Sequence, residues 1–223
     1  MPDDAAGDTP GGAGNERRFS PQEAALLHDV LRWRRDVRHF RPDPVAPEVL
    51  NRLQAAVDLA PSVGNSRPWH FLRLRDPALR ARIAAIFEAE NTRAADGYDG
   101  DTRADYLALK LAGLREAPEH LAVFTDTDPA EGRGLGRQTM PEMLTYSTVT
   151  AIHTLWLAAR VENLGLGWVS ILDPAAVAGA LDAPPHWRFT AYLCLGYPRF
   201  SDDTPLLHRT GWQQNTRASW SEV

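Results

Sequence analysis

Apolar residues recur at helical spacing in two segments near the start of the chain. The tetrapeptide 20–23, Ser-Pro-Gln-Glu, has the serine, the proline and the glutamate of a capping box and predicts a helix start. The helix ends near Arg34, and its apolar face consists of Leu26, Leu27, Val30 and Leu31. A second helix is predicted from about Pro47 to Leu59, because Pro61 cannot continue it.

The rest of the chain alternates irregularly between strands and helices. Strands are predicted over residues 69–75, 121–125, 165–170 and 189–195, and helices over 76–90, 106–115 and 141–161, with a short helix capped by Asp173. The polar stretch 91–103 is predicted to be a mobile excursion. Helix 141–161 is apolar nearly all round, which predicts a central buried helix. Since no regular βαβ repeat is present, the pattern favours an α+β fold, a small, mainly antiparallel sheet flanked by helices.

Composition narrows the class of protein. The 223 residues suit one domain, expected over 19–223 after a disordered leader at 1–18 that is rich in Asp, Ala, Gly and Pro. The net charge of -5 argues against nucleic-acid binding, and no 18-residue apolar run predicts a membrane span. A lone Cys194 cannot form an internal disulfide, which favours a reducing cytoplasm.

Three guanidinium groups stand within five residues at the end of the first helix. In Arg34-Arg35-Asp36-Val37-Arg38 the arginines suit a phosphate, and Asp36 could bind a ligand or move a proton. The alternative is that these basic residues only complement the helix dipole. The residues alone leave both readings open.

Two further clusters combine small residues with hydrogen-bonding groups. The loop 60–69 contains Gly64, which permits close approach to a planar ligand, and Asn65, which adds a side-chain donor, although ordinary turn chemistry explains it equally well. The segment 165–170 places two glycines before Ser170, near a predicted strand end.

Several other kinds of site are poorly supported. The spacing around 165–167 is not a dinucleotide fingerprint, and no serine lies in a G-x-S-x-G elbow. Histidines are scattered without metal-ligand spacing, so no metal is expected, and His153 is predicted to be a core or interface residue.

Taken together, the clusters resemble the nitroreductase-like flavoprotein superfamily, and most of all its 5,6-dimethylbenzimidazole synthase branch. The resemblance covers about residues 20–212. Asp36 is one discriminating residue, because ordinary nitroreductases usually have Ser or Thr there, and the segment Gly167–Ile171 is the other. The matching stretches are 34–38, 60–64, 68–69, 109–111, 146–149, 155–160, 167–171 and 193–196.

The resemblance implies an intertwined homodimer with FMN at the subunit interface. The implied reaction consumes reduced FMN with O2 and yields 5,6-dimethylbenzimidazole, the lower ligand of vitamin B12, and erythrose 4-phosphate. A separate NAD(P)H-dependent flavin reductase would supply the reduced FMN. Asn65 is a nitroreductase-like residue, so an NAD(P)H-dependent nitroreductase or flavin reductase stays open, as does a non-catalytic flavin-binding protein.

The resemblance also implies roles for individual residues. Asp36 and Ser170 would be catalytic, with Asp36 as a base or proton relay and Ser170 steering the oxygenated flavin. Residues binding the flavin would be Arg34, Arg35, Asp36, Val37, Arg38, Ser62, Gly64, Asn65, Lys110 and Ser170, the arginines at its phosphate end. Lys110, the one lysine among 24 basic residues, falls in a predicted lid over about 91–115. The C-terminal phosphate contact is left between Arg209 and Arg217.

Overall fold

The computed structural model describes residues 16–109 and 113–222. Its helices are α1 (Pro21–Trp33), α2 (Pro47–Val57), α3 (Pro77–Ala95), α4 (Gly100–Ala108), α5 (Met143–Val161), α6 (Pro174–Ala180) and α7 (Leu206–Arg209). Its strands are β1 (Trp69–Arg73), β2 (Glu119–Asp126), β3 (Gly165–Val169) and β4 (Trp187–Gly196). Most of the predicted leader and Lys110 lie outside the described residues.

Local capping signals set the helix starts. The side chain of Ser20 accepts a hydrogen bond from the backbone N–H of Glu23, and the Glu23 carboxylate accepts one from the N–H of Ser20, so the predicted capping box is confirmed. Asp76 and Asp173 cap α3 and α6 in the same manner, each accepting a hydrogen bond from a backbone N–H of the first turn. These residues satisfy donors that have no partner within their own helix.

The four strands form one antiparallel sheet in the order β1-β2-β4-β3. Alternate residues of β4 enter two separate cores: Leu193 and Leu195 pack with α2 and α5, whereas Tyr192 and Cys194 pack toward α3 and α6. Helices therefore cover both faces of a small sheet, which confirms the predicted fold class.

The region between α3 and β2 differs from the prediction. Residues 91–95 continue α3 and residues 100–108 form α4, so the stretch 91–103 is mostly helical, and no helix spans 106–115 in the described residues. The buried Tyr106 explains the difference, since its hydroxyl donates to Asn91 Oδ1 at 2.9 Å and its ring lies 5.0 Å from that of Tyr98. These contacts stabilise helices in a polar sequence with weak periodicity.

The central helix is buried on one face only. Residues of α5 such as Ile152 and Leu155 are buried, but Tyr146, Val149 and His153 are exposed in the single chain. The helix packs against the sheet as predicted, but it is not buried all round within one chain, and His153 is not a core residue of that chain; its assignment to an interface stays a prediction. The apolar face of α1 is exposed as well, and its large residues are Leu26, Leu27 and Leu31.

No helix within the described ranges is long and apolar enough to cross a membrane.

Candidate functional site

The segment 34–38 leaves α1 and runs beside the outer edge of β3. The N–H of Val37 donates to the carbonyl of Leu166 at 3.0 Å, and Asp36 pairs with Leu166 in a parallel bridge. Neither Gly165 nor Gly167 has room for a side chain, because a Cβ would lie 2.6 Å from a methyl group of Val37 and 2.1 Å from the Val37 carbonyl oxygen, respectively. The two glycines therefore admit the arginine segment against the sheet.

Asp36 is held through both carboxylate oxygens. Oδ1 accepts a hydrogen bond from the backbone N–H of Trp168 at 2.9 Å, and Oδ2 accepts one from Nε of Arg38 at 2.9 Å. A carboxylate that is held through both oxygens has a fixed orientation, and a general base needs a fixed orientation toward the proton that it removes. The ion pair also places the Arg38 guanidinium beside Asp36.

Trp156 of α5 lies against the same segment. Its Nε1–H donates to the carbonyl of Arg35 at 3.2 Å, and the guanidinium carbon of Arg34 lies 4.6 Å from its ring centroid. Its ring also approaches that of Trp168, with centroids 6.4 Å apart. Burial lowers the pKa of Arg34, but an arginine remains protonated at neutral pH.

The Arg35 side chain contacts the end of α1. It donates from Nη2 to the carbonyl of Arg32, while its buried Nε has no acceptor among the described residues. Burial lowers the pKa of Arg35, and the nearby carboxylates of Asp202 and Asp203 act in the opposite direction.

The loop with Ser62, Gly64 and Asn65 is organised through its backbone. The Ser62 hydroxyl accepts from the N–H of Arg67 at 3.0 Å, and the N–H of Val63 donates to the Ser147 hydroxyl of α5 at 3.0 Å. Gly64 and Asn65 both adopt left-handed backbone, with φ values of 58° and 54°. Such conformations are costly for most residues and are concentrated at functional sites.

This loop and the glycine-rich segment 132–139 line an open cleft of about 840 Å³. A Cβ on Gly64 would lie 3.0 Å from the carbonyl oxygen of Gly132, so the two backbones meet directly. The cleft is lined with polar groups, including the side chains of Asn65, Arg133 and Gln138. It can therefore offer hydrogen bonds to the edge of a polar ring, and sequence reasoning assigned no role to its second wall.

Four other predicted residues remain. Ser170 directly follows β3 and is exposed, two residues beyond the N–H that holds Asp36. Arg209 ends α7 and pairs with Asp202 at 2.6 Å, whereas Arg217 lies in the exposed C-terminal segment. Lys110 lies outside the described residues.

The two clusters contact the same helix at different heights. The loop at 62–65 reaches Ser147, and the segment 34–38 reaches Trp156, nine residues further along α5. At 1.5 Å of rise per residue these contacts are about 14 Å apart. Within one chain the structure therefore does not merge the predicted residues into one site. No group of metal-ligating side chains occurs within residues 16–109 and 113–222.

The sheet, its flanking helices and the arginine segment agree with a match to the nitroreductase family model over residues 31–197. The chain belongs to the nitroreductase family. Within that family, it is 59% identical over 202 residues to the 5,6-dimethylbenzimidazole synthase of Rhodobacter capsulatus, covering 91% of this chain and 98% of the relative. The synthase of Rhodospirillum rubrum is 54% identical over 196 residues, covering 87% and 92%. These identities confirm the branch that the motifs resemble.

The solved structure of oxidised iodotyrosine deiodinase bound to FMN and 3-iodo-L-tyrosine has the same fold. It superposes with a TM-score of 0.68 at 23% identity and covers 88% of this chain and 97% of its own. This similarity shows that the two chains share a fold.

Proposed function

We propose that this protein is a 5,6-dimethylbenzimidazole synthase that cleaves reduced FMN with O2 into 5,6-dimethylbenzimidazole and erythrose 4-phosphate. The observation that carries the proposal is Asp36, held between the Trp168 N–H and the Arg38 guanidinium within the arginine segment. The synthases of Rhodobacter capsulatus and Rhodospirillum rubrum support it through their high identity. The product is the lower ligand of vitamin B12.

The described residues fit FMN. Arg34 and Arg38 supply charge for its phosphate, and Arg35 keeps one buried N–H without an acceptor among the described residues. Gly64 and Asn65 border a cleft with polar side chains in its lining, which suits the ring edges, and Ser62 fixes the loop by accepting a hydrogen bond from the Arg67 N–H. When bound, reduced FMN would supply the electrons for oxygen and the carbon atoms of the product.

Each remaining residue has one assigned task. Asp36 would take a proton from the ribityl chain or the ring, and Ser170, two residues beyond the N–H that holds Asp36, would donate a hydrogen bond to the flavin. Val37 anchors the segment to β3. The segment predicted as a lid, about 91–115, would cover the site and exclude water, and its Lys110 would contribute to binding the flavin.

We propose that a homodimer completes the site. The two clusters lie about 14 Å apart along α5 of one chain, and each copy could supply one cluster to a shared flavin. The exposed apolar residues of α1 and α5, among them Leu26, Leu27, Tyr146 and Val149, support an interface, because a surface of that kind is normally covered. The subunit boundary would then hold the flavin.

Reduced FMN would come from a separate NAD(P)H-dependent flavin reductase. We propose that both proteins act in the cytoplasm, in keeping with a single cysteine, Cys194, which is buried. Burial raises the pKa of its thiol to about 12 and so keeps the thiol unreactive.

A second candidate function is an NAD(P)H-dependent nitroreductase or flavin reductase. The exposed Asn65, held in left-handed backbone at the cleft, is the observation that favours it. That enzyme would retain FMN and oxidise a pyridine nucleotide steadily. A flavin-binding protein without catalysis would bind FMN and leave it intact.

The test is to mix the protein with chemically reduced FMN in aerated buffer and to separate the products by chromatography. We expect 5,6-dimethylbenzimidazole in an amount that rises with enzyme, and none in the same buffer without protein. If re-oxidised FMN is the sole product, the synthase proposal fails. Steady NADPH oxidation in a parallel assay would then support the reductase, and its absence the binding protein.

A further inference from the structure

Two contacts of the arginine segment involve one side chain, Trp156. The Arg34 guanidinium lies over its ring, and its N–H donates to the Arg35 carbonyl. Its ring also lies near that of Trp168, whose backbone N–H holds Asp36. No role in the reaction has been given to this residue so far. Its neighbours, however, are the residues proposed to bind phosphate and to move a proton.

Tryptophan is suited to this position because it combines an extended π face with a hydrogen-bond donor. The carbonyl of Arg35 belongs to the planar peptide that leads into Asp36, so a bond to it orients the residues on both sides. The guanidinium of Arg34 is partly withdrawn from water, which strengthens its attraction to the ring. A phenylalanine would keep the ring contact with the Arg34 guanidinium and lose the hydrogen bond to the Arg35 carbonyl.

We propose that Trp156 is a positioning residue, which holds Arg34 in the direction of the FMN phosphate and orients the peptide before Asp36. This inference rests on the proposed function, since it takes the assignment of Arg34 to the phosphate from it. Trp156 itself need not touch the flavin. Both contacts act on Arg34, one through its guanidinium and the other through the backbone of the adjacent Arg35, so the effect on binding must concern flavins that carry a phosphate.

The experiment compares binding of oxidised FMN and of riboflavin, which lacks the phosphate, by quenching of flavin fluorescence. We expect Trp156→Leu to weaken FMN binding about 10- to 30-fold, because it loses the hydrogen bond and the ring contact together. Trp156→Phe should weaken it about threefold to fivefold, since it loses only the N–H. Riboflavin binding should change less than twofold in both variants.

Trp187→Phe is the matched control, since Trp187 also lies partly buried, but on β4 against His70, with ring centroids 3.7 Å apart. It should leave both affinities unchanged. Equal weakening of FMN and riboflavin in Trp156→Leu overturns the proposal, because a loosened fold would not distinguish the two ligands.

A double-mutant cycle with Arg34→Gln tests the route of the effect. If Trp156 acts through Arg34, the double variant should bind FMN no more weakly than Arg34→Gln alone. Full additivity of the two changes overturns the proposal. These measurements need no turnover: a wild type that prefers FMN but forms no benzimidazole refutes the proposed function alone, whereas a wild type without that preference refutes the role of Arg34 and the inference with it.

Discussion

The segment 34–38 and the loop 62–65 are built in opposite ways, although both are proposed to bind the same flavin. In the segment, side chains make the contacts: Asp36 binds the Trp168 N–H and Arg38, and Arg34 lies on Trp156. In the loop, the backbone makes them, through Gly64 against Gly132 and Val63 against the Ser147 hydroxyl. The segment thus presents a few charged groups in set directions, and the loop presents a shaped surface.

This difference teaches where each region is vulnerable. Changes in the segment should alter charge and chemistry, and should affect flavins with and without a phosphate unequally. Changes in the loop should alter shape, and should affect FMN and riboflavin alike, because both carry the same ring. Four predictions test the distinction.

The largest effect is expected from Asp36→Asn. The amide oxygen can still accept from the Trp168 N–H, so FMN binding should survive, but the proton acceptor is lost and benzimidazole formation should fall about 10²- to 10⁴-fold. Product chromatography and flavin titration measure the two quantities. Asp43→Asn is the control, since its ion pair with Arg41 is exposed and worth little. Near-normal turnover in Asp36→Asn would remove this residue from the chemistry.

Gly167→Ala should strongly destabilise the packing of the segment 34–38 against β3. The new Cβ would lie 2.1 Å from the Val37 carbonyl oxygen, so the segment must move off β3. We expect the free energy of unfolding to fall by about 3 kcal/mol, measured by urea denaturation, with FMN binding lost. Gly179→Ala in α6 is the control, because nothing lies within 4 Å of its Cβ. A stable variant with normal FMN affinity would contradict the close packing.

Gly64→Ala should have a smaller effect in the loop. Its φ of 58° disfavours a side chain, and the Cβ would approach the Gly132 carbonyl oxygen at 3.0 Å. We expect a loss of about 1–2 kcal/mol in unfolding free energy and an equal weakening of FMN and riboflavin binding. Gly100→Ala has a similar φ of 52° but open space, so the difference between the variants isolates the contact. If Gly64→Ala weakens the binding of FMN but not of riboflavin, the proposed difference between the segment and the loop is wrong.

The smallest effect concerns pH and a residue outside both regions. Burial lowers the pKa of His120 to about 4, and this histidine bonds to the Tyr192 hydroxyl at 2.8 Å. The unfolded chain protonates His120 more readily than the folded chain does. The contribution of neutral His120 to the free energy of unfolding is therefore fully present above about pH 6.5 and is lost as the pH falls toward 4. As the pH falls from 7.5 to 5.5, we expect the free energy of unfolding to decrease by about 1 kcal/mol.

Urea midpoints across that range measure the loss, and His120→Asn should flatten this part of the pH dependence. The ratio of FMN to riboflavin affinity should stay constant as stability declines. If the variant retains the full slope, another group is responsible.

The sequence predicted the regular elements well wherever the signal was local. The capping boxes and Asp caps of α1, α3 and α6 involve residues within three positions of each other, so no tertiary information is needed. The prediction for the α3–α4 region was wrong because that region depends on contacts between distant residues. Its aromatic contacts include Tyr98 and Trp212, whose ring centroids are 5.8 Å apart and which are distant in sequence.

Candidate residues were found from the sequence, but their arrangement was not. The sequence singled out two glycines before Ser170 in the segment 165–170, and only the structure shows that they admit Val37, which lies about 130 positions earlier. The importance of Trp156 was equally hidden, because a tryptophan in an apolar helix is typical of a core.

By itself, then, the sequence determined the starts of α1, α2, α3 and α6, the strand segments, the α+β class and the family to which the chain belongs. These depend on hydrogen bonds and periodicities within a few residues. Only the tertiary structure decided that Asp36 meets the Trp168 N–H, that Gly64 meets Gly132, and that α1 and α5 keep apolar faces exposed. Such contacts join elements that are far apart along the chain, and which of them form depends on how the whole sheet and its helices pack.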